Sequence, residues 1–177
     1  MSKMKKSIFV SLSVGSALIV TIFLANYISI QKPLSDVIDS DPRNKGIELS
    51  AHYVYYISPS KLVINVKSVS GDKSSADVFR VLLQYAEKLS SKDFDRIELS
   101  SRGKVKFVLR GDYFQTLGKE YGMQNPVYTM RTLPENIYRS DGKRAFGSWS
   151  GGLLGVVGKQ MEDFTEFHKQ WYIEDMK

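Results

Sequence analysis

Two histidines, His52 and His168, are the only imidazoles in the chain, and there is no cysteine. Neither histidine has the His-x-x-x-His or His-x-x-Glu-His spacing of a preformed metal site, so zinc or iron would need both rings and a carboxylate gathered by the fold. His52 sits in a strand-like run and reads as a packed or edge side chain. His168 stands between Phe167 and Trp171 and is expected at the boundary of a buried helix face, close to a partner surface. Serine chemistry is equally poorly served. Ser148 and Ser150 lack the G-x-S-x-G frame of a nucleophile held on a sharp turn, because Phe146 and Ser148 fill the first glycine position. The lack of cysteine also excludes disulfides, iron–sulfur ligation and a lipidated cysteine anchor. No cofactor is called for.

Carboxylates offer the remaining catalytic route. Glu162, Asp163 and Glu166 share a helical stretch, with Glu135 and Asp141 in a loop before it. Two of them at a suitable separation could serve as an acid/base couple of a hydrolase. A solvated helix face is the ordinary explanation of the same residues.

Two features point to binding. The run Gly147-Ser-Trp-Ser-Gly151-Gly152-Leu-Leu-Gly155-Val-Val-Gly158 leads straight into the last helix, where free backbone N–H groups could hold an anion beside Lys143 and Arg144. It contains neither G-x-G-x-x-G nor G-x-x-x-x-G-K-[ST], and close backbone packing accounts for it as well. The segment Tyr128–Trp149 combines Arg131, Arg139 and Arg144 with Tyr138, Phe146 and Trp149, a mixture favoured at interfaces and in clefts. The candidate partner or ligand surface is therefore Arg131, Arg144, Trp149, Gly151, Gly152 and His168.

The elements that position these residues begin at the N-terminus. Lys3, Lys5 and Lys6 precede Ser7–Ile30, an uncharged stretch of 24 residues. At ~1.5 Å per residue this reaches roughly 36 Å, enough to cross a ~30 Å hydrocarbon core. It is longer than the 7–15 apolar residues usual in a cleaved signal, and Phe23 occupies a small-residue position of the nearest cleavage frame. The expectation is an uncleaved anchor over residues 7–30, with residues 1–6 in the cytoplasm of a bacterium and the remainder exported. Ser7, Ser11 and Gly15 make a small-residue stripe that would admit a second helix.

Charge supports the same division. Of 25 Lys and Arg, four flank the anchor, whereas all 19 Asp and Glu follow residue 35. The exported part therefore carries 21 − 19 = +2, with no clustered basic footprint for nucleic acid. Its one domain must stand on an apolar core alone, to which ten Tyr, nine Phe and two Trp contribute.

Residues 31–46, with two prolines and little periodicity, read as a tether; residues 47–177 read as an α+β domain. Leu49–Ile57 and Leu62–Val69 have strand composition around Ser-Pro-Ser. Ser74 and Asp77 resemble a capping box before the apolar helix stripe Phe79, Leu82, Leu83, Ala86 and Leu89. A second hairpin is expected over Asp95–Ser100 and Lys104–Arg110. A helix follows it from an Asp112 cap to Gly122, then a short strand at Pro126–Thr132, a loop to Phe146, and a long helix from about Gly151 to Met176. The order ββαββα implies a mainly antiparallel sheet, with the long amphipathic C-terminal helix packed on it.

These residues favour a membrane-anchored envelope protein whose domain works as a protein–protein interaction or assembly module on the outer face of the inner membrane. Its partners would be membrane lipid along residues 7–30, and either another protein or a second copy of itself. A periplasmic module binding a small ligand or cell-wall glycan, and a carboxylate-dependent hydrolase, are the alternatives.

Overall fold

The computed structural model describes residues 3–150 and 153–176, with side chains described from residue 13 in the first helix and from residue 155 in the last. The chain opens with α1, Lys3–Asn26, which runs without a break through a π turn, Tyr27–Gln31, into α2, Lys32–Ser40. Lys32 N–H bonds back to the Tyr27 carbonyl, the five-residue reach of a π turn. Pro33 follows at once. It has no N–H to give the preceding turn, and the local widening tolerates it where a strict α-helix would break.

Residues 31–46 are therefore not a tether. Ile30, Leu34 and Val37 recur at helical spacing and are 0–7% exposed, so α2 belongs to the core. Two prolines obscured that stripe in the sequence, yet Pro33 falls directly after the π turn and Pro42 opens the short helical turn Pro42–Asn44, where no donor is needed.

The domain is an α+β fold on a five-stranded mixed sheet, in the spatial order β1 (Ile47–Val54), β2 (Ser58–Val69), β3 (Arg96–Ser101), β4 (Lys104–Arg110), β5 (Ile137–Tyr138). Three neighbouring pairs are antiparallel and the central pair β2/β3 is parallel. The parallel pair arises because α3, Ser75–Lys88, carries the chain back along the sheet before β3 enters, a βαβ crossover rather than another hairpin. Ser74 caps α3 with the expected reciprocal box: its hydroxyl accepts from Asp77 N–H, and the Asp77 carboxylate accepts from Ser74 N–H at 2.8 Å. The β3–β4 hairpin turns at Arg102 and Gly103, both with positive φ.

Helices cover one face of the sheet. Leu62, Ile64, Val66, Ile97, Leu99, Phe107 and Leu109 point into it and are no more than 1% exposed. Glu48, Ser50, Lys67 and Glu98 lie on the uncovered face. α3 packs on α4, Gly111–Glu120, at backbone distance: a Cβ on Gly118 would lie 2.3 Å from the Ala86 carbonyl oxygen. Helix α4 starts one residue before the expected cap, with Asp112 in its first turn paired to Arg110, and it ends before Gly122 at φ +82°. Pro126–Thr132 is a helix, α5, and not a strand. Asn125 caps it by accepting from Val127 N–H at 2.9 Å, with Pro126 at the first helical position. The short strand β5 comes after it and pairs with β4. The last helix, α6, is Leu153–His168, continued by a π turn over Lys169–Ile173.

Candidate functional site

Arg131, Phe146 and Trp149 of the 128–149 segment contact α6, and Arg144 joins them through Glu135. Arg131 Nε donates to Gln160 Oε1 at 2.9 Å, and Gln160 Nε2 donates to Glu135 Oε1 at 2.9 Å. Arg144 donates to the Glu135 carbonyl at 3.0 Å and to Ser148 Oγ at 2.8 Å. Glu135 thus links both arginines, one through its side chain and one through its backbone. Trp149 Nε1 donates to Asp163 Oδ2 at 2.6 Å, while Lys159 Nζ stands 5.9 Å from the indole centre. The indole stays 39% exposed. Gly151 and Gly152 lie outside the described residues.

His168 does not belong to this surface. It is wholly buried, with Phe164 and Phe167 ring centres at 4.5 and 4.9 Å and Trp171 and Tyr172 at 5.9 and 5.6 Å. Neither ring nitrogen has a hydrogen-bond partner among the described residues. Burial alone pushes its pKa down to about 3, so the ring stays neutral. The spacing 164, 167, 168, 171, 172 is a continuous helical stripe, and it placed His168 inside the face rather than at its edge.

The carboxylates of α6 hold local partners. Glu162 pairs with Lys159 at 2.9 Å, and Glu166 pairs with Lys169 at 3.1 Å. The Gln170 amide, with Lys169, holds the Glu166 carboxyl below the ordinary range. Among the described residues no group of three His, Asp or Glu side chains could hold a metal ion.

A second constellation, unforeseen from the sequence, lies where the first helix meets the sheet. β1 is an edge strand, so alternate N–H groups face away from β2 and need acceptors. Tyr53 N–H donates to Asn26 Oδ1 at 2.9 Å, and Ala51 N–H donates to Gln31 Oε1 at 2.9 Å. Asn26 Nδ2 donates in turn to the Tyr56 carbonyl at 2.6 Å. Asn26 and Gln31 are five residues apart, a spacing that shares a face only across a π turn, which is what separates them. The wholly buried Tyr85 hydroxyl secures the same turn by donating to the Ile30 carbonyl at 3.0 Å. Beside this junction Phe23, Asn26, Tyr27, Gln31, His52 and Lys67 help line a cleft of about 360 Å³. The sequence signal was faint: one amide, Asn26, in an uncharged run.

Above the junction the described part of the first helix, from residue 13, is largely apolar and exposed. Val14, Leu18, Ile19, Val20, Phe23 and Leu24 are 52–64% exposed, and the helix is long and apolar enough to cross a membrane. No protein-family model, curated protein or solved structure matches the chain.

Proposed function

We propose that this chain is an envelope protein of a bacterial inner membrane, anchored by its first helix, whose domain is a protein–protein interaction or assembly module on the outer face. The exposed apolar collar of α1 carries the reading. Six large apolar side chains between Val14 and Leu24 keep at least half their surface uncovered, which water penalises at about 25 cal/mol per Å² and hydrocarbon does not. The lysines ahead of the span favour an inside N-terminus and an exported domain. Holding the domain against the bilayer raises its effective concentration toward neighbours in the same membrane, so a modest contact suffices. The surface formed by Arg131, Arg144 and Trp149 supplies that contact: a guanidinium pair and a part-exposed indole are the side chains that anchor interfaces.

The test is a photo-crosslinker at position 149 in the full chain, in native membranes. One defined adduct, with another protein or with a second copy, is expected, and Arg144→Ala should weaken it. An adduct pattern indistinguishable from that of a crosslinker at Asp72, in the turn from β2 into α3, refutes the contact surface. Release of the chain from membranes by an alkaline wash refutes the anchor.

A further inference from the structure

The β1–β2 turn, Tyr55-Tyr56-Ile57, is the most exposed apolar feature of the domain. Tyr55 and Ile57 are 84% and 67% exposed, and Tyr55 and Tyr56 hold φ of +53° and +63°. That left-handed conformation suits Gly or Asn and is adverse to bulky rings, so the turn keeps two tyrosines where the backbone disfavours them. From Leu49 to Ser60 the chain has no Asp, Glu, Lys or Arg.

The turn is fixed in height against the first helix. The Tyr56 ring lies 4.9 Å from that of Phe23, and the Tyr56 carbonyl accepts the Asn26 amide. Counted from Ser7 at ~1.5 Å per residue, a ~30 Å hydrocarbon core takes about 20 residues, and its far boundary falls near Asn26. Phe23, Tyr27 and Ile28 are exposed by 52–58% at that same level. Tyrosine is the residue that collects at this boundary, with its ring toward the chains and its hydroxyl toward the headgroups.

We infer that Tyr55-Tyr56-Ile57 is a second membrane contact, seated in the headgroup–acyl boundary beside the helix exit. This rests on the anchor reading above. The partner is the lipid surface itself, and its role is to fix the domain's inclination as well as its height: one helix alone leaves the domain free to tip with the helix and to turn about the helix's own axis, whereas a helix and an inserted turn define a side that faces the lipid.

The native chain has no cysteine, so single-cysteine variants of the full chain can carry an environment-sensitive fluorophore without background. Tyr55→Cys, Ile57→Cys, Ile19→Cys and Asp72→Cys are labelled and reconstituted into vesicles of phosphatidylethanolamine and phosphatidylglycerol. The vesicles carry a spin-label quencher either at the headgroup or deep in the acyl chain. Labels at 55 and 57 should emit to the blue of the label at 72 and lose most of their emission to the shallow quencher. The label at 19 should respond to the deep one. If 19 is quenched while 55 and 57 match 72, the anchor stands and the second contact is refuted. If 19 is unquenched, both fall together.

Discussion

Helices near both ends of the chain reach the core, and each widens into a π turn where it docks, Tyr27–Gln31 and Lys169–Ile173, yet the two junctions are built on opposite principles. At the first, the polar side chains flanking the turn find backbone partners: Asn26 and Gln31 accept the outward N–H groups of edge strand β1. At the second, the polar side chain ahead of the turn, His168, is enclosed by aromatic rings and has no partner among the described residues. The nearby indole of Trp171 does find one, donating to the Ser100 carbonyl at 3.0 Å. The difference lies in what each helix meets. A helix laid along a sheet edge meets unpaired donors in register, so amides are stabilising there. A helix laid over a sheet face meets side chains, and a ring nitrogen buried among them is desolvated with nothing in return.

Acid should separate the two junctions most sharply. His168 is held at about 3 in the fold against 6.5 when free, so below pH 6.5 the unfolded chain takes up a proton that the native state refuses. Its contribution is complete above pH 6.5 and is lost as pH falls toward 3, at about 1.4 kcal/mol per pH unit. By pH ~4.5 the domain should have lost on the order of 3 kcal/mol, read by denaturant titration of the full chain in mild detergent. The carboxyl of Asp77, held at about 2 by the Ser74 hydroxyl, adds its own loss only below its ordinary 3.8. His168→Phe should therefore flatten the profile between pH 6.5 and 4.5. A variant that keeps the full slope would move the acid sensitivity elsewhere.

Next in size is Asn26→Leu, which preserves volume but leaves Tyr53 N–H without its acceptor and the Tyr56 carbonyl without its donor. A loss of about 1–3 kcal/mol is expected, with faster hydrogen exchange at the Tyr53 amide and no change in the acid profile. Unchanged protection at Tyr53 would show that the edge is held by something other than the helix amides. Smallest is Gln31→Leu, at a half-buried position with one bond to the strand, expected to cost about 0.5–1.5 kcal/mol and to expose the Ala51 amide alone. Equal effects from the two amides would erase the distinction between a buried and a part-exposed cap.

Much of the fold was legible in local patterns. The Ser74–Asp77 box, the α3 stripe, the hairpin at Arg102-Gly103 and the Gly122 stop all depend on neighbours within a few residues, and the sequence displays those directly. What it hid depended on distant partners or on competing signals. The stripe Ile30, Leu34, Val37 was masked by Pro33 and by the uncharged run before it. Pro126–Thr132 looked like a strand from Val127, Tyr128 and Thr129, but Asn125 and Pro126 form a helix start that outweighs those propensities. The parallel β2/β3 pair followed from where α3 ends, which no hairpin signal reports. For the candidate surface, Arg131 and Arg144 are brought together by Glu135 and Gln160, and Trp149 is held to α6 by Asp163, roles that no spacing announced.

The unbroken run from α1 through the π turn into α2 has a mechanical corollary. With no joint between the first helix and the domain, the two move as one lever in the anchored arrangement proposed above. β2 alone extends roughly 40 Å at ~3.3 Å per residue, so a change of about 20° in the inclination of the span sweeps the far end of the domain by roughly 10–15 Å. Bilayer thickness, or a second helix pressing on the first, would then set where that end points.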